Sequence, residues 1–167
     1  RLRNWKNFRE IDAPIRDRTY LLGANATGKS NLLDAFRFIR DICKAQGGGL
    51  QKAIVDRGGI PKLRCLHARR PPEVVLEFEL NETVDDDAVL WRYKIAFKPE
   101  GKGAQRTLIT QEQVWRGDVL ILDRPDSDDK KDKARLTQTH LEQIQANSSF
   151  RDIANFFSEV TYVHLVP

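Results

Sequence analysis

No apolar run in the chain approaches the roughly 18 to 20 residues needed to cross a bilayer. Nor does the N-terminus show the basic, apolar and small-residue succession of a secretory signal. A cytoplasmic protein with no membrane partner is the expectation. Cysteine is scarce: Cys43 and Cys65 are the only two, they lack metal-ligand spacing, and reduced thiols fit the same compartment. His67 has no Cys, Asp or Glu at ligand spacing and carries no metal role. Internal repeats and low-complexity tracts are absent, which excludes repeat arrays. Charge of one sign is not concentrated either. The net charge of +4 and pI near 9.2 lean towards nucleic acid, but the basic residues are scattered among 24 acids. The chain opens Arg1-Leu2-Arg3 without Met, as a trimmed N-terminus would. What is present, 40% hydrophobic and 31% charged residues over a length of 167, is the composition of one globular domain or most of one.

Against that background one stretch stands out. Gly23-Ala24-Asn25-Ala26-Thr27-Gly28-Lys29-Ser30 fills every fixed position of the pattern G-x-x-x-x-G-K-[ST], a phosphate-binding loop. Thr19 to Leu22 reads as a short buried strand ending at Gly23. Leu32, Leu33, Phe36, Ile39 and Cys43 recur at three- and four-residue steps, as on an amphipathic helix from about Ser30 to Lys44. Strand, loop and helix in that order create a concave site where backbone N–H groups and the helix's positive end meet a phosphate chain. Lys29 is expected at the β- and γ-phosphates and the Ser30 hydroxyl on Mg²⁺. ATP and Mg²⁺ are the cofactors this predicts.

The remaining chain divides by pattern. Leu2 to Arg9 and Ile11 to Ile15 look like short strands, followed by a charged turn at 16–18. Gly47, Gly48 and Gly49 end the helix, Leu50 to Val55 is a possible short helix, and Arg57-Gly58-Gly59-Ile60-Pro61 is a turn. Lys62 to Arg70, with Arg64, His67 and Arg69, reads as a solvated basic loop. From residue 73 to 122 the pattern is an antiparallel meander of four strands. Its aromatic stripe Trp91, Tyr93 and Phe97 alternates as a core face does, and Glu77 and Glu79 suit pairing with Arg92 and Lys94 across strands. Asp123 to Lys133 reads as a solvated loop and Ala134 to Gln145 as a polar helix. Ser149, with Asp152 three residues on, reads as the cap of a further helix striped by Phe150, Ile153, Phe157 and Val160. Tyr162 to Val166 reads as a closing strand.

The opening Leu2-Arg3-Asn4-Trp5-Lys6-Asn7-Phe8, the loop, and the continuation Asn31-Leu32-Leu33-Asp34-Ala35-Phe36 resemble the N-terminal part of ABC-class ATPases of the chromosome-maintenance, RecF and OLD (overcoming-lysogenization-defect) type. Leu50 to Ile54, Gly58-Gly59, the meander and the ending Tyr162 to Pro167 resemble a group of stand-alone ATPases in that superfamily. The resemblance implies an α/β P-loop NTPase fold: lobe I of an ABC-ATPase head with an antiparallel β-meander insertion. Residues 1–45 would form the nucleotide core, 73–122 the meander, and 134–167 helices with the closing strand. Lys6 matches a basic residue that lies beside the nucleotide in the family, Asn25 would sit under the phosphates, and Asn31 follows the Mg²⁺ ligand. With Gly23, Ala24, Ala26, Thr27, Gly28, Lys29 and Ser30 these make up the expected site. Family members bind ATP between two heads, hydrolyse it, and act on DNA or in phage defence, which implies a homodimer with DNA or an effector protein as further partners.

The departures define what this stretch lacks as an enzyme. Ala24 and Ala26 stand where many relatives have Pro and Gly. No apolar strand ends in paired acids, since Asp85-Asp86-Asp87 and Asp128-Asp129 read as solvated acids. No Ser-Gly-Gly signature is present, and the glutamine coupling nucleotide to metal would follow Tyr162 to Val166. Hydrolysis would therefore need motifs from the remainder of a longer protein or from another chain. A nucleotide-dependent dimerisation or DNA-clamp module without turnover is the alternative. A different P-loop enzyme is another, although the Asn-Lys-x-Asp motif of a GTPase is absent.

Overall fold

In the computed structural model, which describes residues 1–68, 72–82, 89–101 and 106–163, the first strands form a tight hairpin, Leu2–Trp5 (β1) and Phe8–Ile11 (β2). The meander follows as Val74–Asn81 (β3), Val89–Pro99 (β4), Thr107–Arg116 (β5) and Val119–Arg124 (β6). All six strands join one antiparallel sheet in the order β2-β1-β3-β4-β5-β6, with β1 paired to β3 through Leu2↔Leu76. The register pairs Glu77 with Lys94 and Glu79 with Arg92, and Arg92 Nε lies 2.9 Å from Glu79 Oε1. Trp91, Tyr93 and Phe97 alternate with them and are buried, as strand periodicity requires.

The helices are Lys29–Cys43 (α1), Leu50–Val55 (α2), the single turn Ile60–Leu63 (α3), Ser127–Lys131 (α4) and Arg151–Ser158 (α5). The buried face of α1 is Leu32, Ala35, Phe38, Ile39 and Ile42, rotated from the expected stripe, so Leu33 is exposed. Phe38 stacks between Trp5 and Phe97, while Phe78 meets Phe36 and Phe157. Two aromatic groups, one on each set of α1 positions, thus join α1 to β1 and β4 and to β3 and α5. Cys43 and Cys65 are free thiols, and burial pushes the Cys43 thiol up to about 12, which leaves it inert.

The expected buried strand at Thr19 to Leu22 does not form: Tyr20 and Leu22 are 82% and 92% exposed, and the segment joins no ladder. A strand needs a partner for its N–H and C=O groups, and no neighbour among the described residues supplies one.

The supposedly solvated stretch 123–133 also differs. Asp126 caps α4 through a reciprocal capping box with Asp129, and Arg124 and Asp129 are buried. The expected helix over 134–145 shrinks to a 3-10 turn, Lys133–Thr137. Its backbone is diverted to side chains: Arg124 takes the carbonyls of Gln138 and Arg135, and Glu112 takes the N–H groups of His140 and Leu141. Phe150 rather than Ser149 occupies the N-cap of α5, without a side-chain cap. Residues 161–163 form no strand. Arg69 and Arg70 of the basic segment, the acids Asp85 to Asp87, and residues 164–167 of the closing strand lie outside the described residues.

Candidate functional site

Gly23 to Gly28 lead into the first residue of α1, Lys29, and 23–27 are exposed while Gly28 is buried. Three loop residues take positive φ, Gly23 at +157°, Ala26 at +64° and Gly28 at +107°. At Gly28 the positive φ favours glycine, and a Cβ there would also displace the tips of the Asn7 and Phe8 side chains, at 2.5 Å from Asn7 Nδ2 and 2.7 Å from Phe8 Cζ. The β1–β2 turn therefore closes directly onto the end of the loop. Ala26 takes the same backbone region with its Cβ in place, at a cost of about 1–2 kcal/mol.

The N–H groups in the first turn of α1 have no acceptor within the helix. That turn contains no acidic side chain, so no carboxylate in it opposes an anion at the helix's positive end. Lys29 folds back over the loop, and its Nζ donates to Gly23 O and Ala24 O at 2.7 Å each. Thr27 Oγ1 donates to Ala24 O at 2.9 Å. Ala24, Asn25 and Ser30 are exposed, Ser30 directly after the lysine.

The other expected site residues are placed as follows. Asn31 turns towards the hairpin: its Nδ2 donates to Asn7 Oδ1 at 2.9 Å and its carbonyl accepts from Trp5 Nε1 at 2.8 Å. Lys6 Nζ lies 2.7 Å from Asp34 Oδ2, at the border of a cleft of about 440 Å³ that Arg37, Arg40, Asp41 and Arg57 also line. Asp34 further accepts from Arg57 Nε at 3.0 Å and Nη2 at 3.1 Å. Burial pushes the Asp34 carboxyl upward, but the hydrogen bonds from Arg57 and Lys6 outweigh it and hold the group below its ordinary value. Asp41 is likewise held low, burial being outweighed by Arg40, Lys44 and Arg57. Arg57, expected only as part of a turn, thus ties α2 to α1 and covers Phe38 with its guanidinium.

Sequence reasoning missed Asn7, Asp34 and Arg57. A signal for Asp34 existed in an acid placed among the apolar positions of a helix, a site that demands a cation. Among the described residues no group of three His, Cys, Asp or Glu could hold a metal ion, and no helix is long and apolar enough to cross a membrane.

Residues 18–165 match the family model described as "AAA domain, putative AbiEii toxin, Type IV TA system". No curated protein and no solved structure matches the chain.

Proposed function

The chain belongs to the AbiEii toxin-type AAA domain family, and from that membership we propose that it is the ATP-binding lobe of an ABC-class ATPase head. The family has the P-loop NTPase fold, generally hydrolyses ATP, and uses nucleotide with Mg²⁺. The observation that carries the reading is the loop itself: a glycine at φ +107°, a lysine folded over the loop carbonyls, and an acid-free first helical turn. The residues fit a nucleotide triphosphate. Backbone N–H groups from Ala24 to Ser30 and the Lys29 ammonium would hold the phosphates, Ser30 would hold Mg²⁺, and Asn25, Asn31 and Lys6 would border the site. Bound Mg²⁺ would neutralise charge on the phosphate oxygens, and this lobe would contribute position and fixed charge.

The exposed Tyr20 and Leu22 support a head completed by further strands alongside 19–22. We place the acids that polarise water and the signature motif on that remainder, with two heads closing as a homodimer around ATP. The toxin–antitoxin system in the family's description favours phage defence, through DNA or an effector protein, as the setting. A nucleotide-dependent clamp without turnover is the second reading. What favours it is Asp34, the acid one turn beyond Ser30, which is taken up by Lys6 and Arg57.

Calorimetric titration with ATP and with GTP, each with and without Mg²⁺, tests the site. ATP binding that requires Mg²⁺ and is lost in Lys29→Ala at unchanged melting temperature is expected. Unchanged affinity in that variant overturns the assignment. ATP-dependent dimerisation without phosphate release in the full-length protein would select the clamp.

A further inference from the structure

Asn7 lies in the turn between β1 and β2 and is exposed, yet its carboxamide is engaged at both ends. Nδ2 donates to Thr27 O at 3.3 Å, and Oδ1 accepts from Asn31 Nδ2 at 2.9 Å. One side chain therefore spans from the last turn of the phosphate loop to the first turn of α1. The hairpin that presents it is fixed from several directions. Trp5 is fully buried and donates to Asn31 O, and Lys6 N donates to Leu63 O at 2.6 Å. Asn4 accepts from Cys65 N at 3.0 Å and donates to Glu73 O at 2.9 Å. Asn4 and Lys6 both hold left-handed backbones, at φ +55° and +49°. Such conformations in non-glycine residues persist where the surroundings over-determine them, and they gather at functional sites.

The geometry has a directional consequence. The Thr27–Gly28 peptide is trans, so its C=O and N–H point to opposite sides. With Thr27 O held towards Asn7, the Gly28 N–H faces away from the hairpin. The tips of the Asn7 and Phe8 side chains also lie beside Gly28, so turning the peptide over would break the Asn7 Nδ2–Thr27 O contact and crowd those side chains.

We propose that Asn7 is a positioning residue for the nucleotide site, orienting the Thr27–Gly28 peptide and Asn31 so that the loop N–H groups converge on the phosphates, without touching phosphate itself. The role rests on the nucleotide reading above. Hydrogen bonds from an exposed side chain contribute little to global stability, so positioning and scaffolding can be separated by experiment.

The experiment compares the full-length protein with Asn7→Ala, Asn31→Ala and the double variant. Three quantities are measured: Mg²⁺–ATP affinity by calorimetry, melting temperature, and nucleotide-free amide exchange over residues 23–31. Asn7→Ala is expected to weaken ATP about tenfold, speed exchange in the loop, and leave the melting temperature unchanged. The double variant is expected to bind no more weakly than the weaker single one, as for one coupled unit. Wild-type affinity in Asn7→Ala, additive losses in the double variant, or a loss that tracks a lowered melting temperature would each overturn the role of Asn7. A wild-type protein that binds no ATP would instead overturn the nucleotide reading, and this role with it.

Discussion

Arg124 is the residue on which the C-terminal part of the sheet depends. Its guanidinium is buried with two carboxylates, Nη1 at 2.8 Å from Glu112 Oε2 and Nε at 2.8 Å from Asp129 Oδ2. It also donates to two carbonyls of the segment beyond α4. Tyr93 donates to Glu112 as well, at 3.1 Å, so each member of the group is partnered. Removing the cation takes the ion-pair partner from Glu112, which keeps Tyr93 and two backbone N–H donors, and leaves Asp129 paired with the exposed Arg135; a broken buried pair costs about 3–5 kcal/mol. Arg124→Met is expected to lower the urea-unfolding free energy by that amount. A loss below about 1 kcal/mol would show that the surroundings relax to readmit water.

Among the elements, α2 depends on a distant side chain. Gly49 at its N-cap offers no side-chain cap, and the Leu50 N–H donates to Glu142 Oε2 at 2.7 Å, which also accepts from Thr139 Oγ1. Burial pushes the Glu142 carboxyl above its ordinary value. Glu142→Gln keeps the acceptor and removes a buried charge, so its melting temperature at pH 7 is expected to equal or exceed that of the wild type. Glu142→Ala orphans the N–H and is expected to lose about 1–2 kcal/mol, as calorimetric melting of both variants would reveal. Such long-range caps explain how much of the fold could be read beforehand. The α1 helix and the meander were legible because periods of 3.6 and 2 are local. The burial of Asp129 was not, because its partner Arg124 is neutralised jointly with Glu112 of the neighbouring strand. The Gly28-Lys29-Ser30 motif could be read from the residues alone, while the contacts of Asn7 could not, because they depend on a hairpin folding back across 20 residues of sequence. The expected strand at 19–22 misled because β-propensity was present and a partner strand was not.

For the molecule as a whole, the shifted groups set the pH response. Asp34, Asp41 and Asp129 all titrate below the ordinary 3.8. Their stabilisation is complete above that value and lost as pH falls through the lower, folded values. His140 is held below the ordinary 6.5, by burial first and by Arg124 second, so the fold favours its neutral form and begins to lose stability as pH drops below 6.5. Glu142, raised from 4.5, opposes this trend. Melting temperature is expected to be level at neutral pH, to decline gently below 6.5 and to fall steeply below about 4. A rise on acidification from 6.5 to 4 would contradict these assignments. The strand order also has a consequence in time. Strands β3 to β6 are neighbours in sequence as well as in the sheet, whereas β1 reaches β3 only across the whole interval from Leu2 to Leu76. Closing so long a loop carries the larger entropy cost. The meander can therefore assemble before the N-terminal hairpin joins it. The contacts of Asn7 and Trp5 with residues 27–31 would then form only after the sheet is largely built, so a half-folded chain would present a loop without its neighbours.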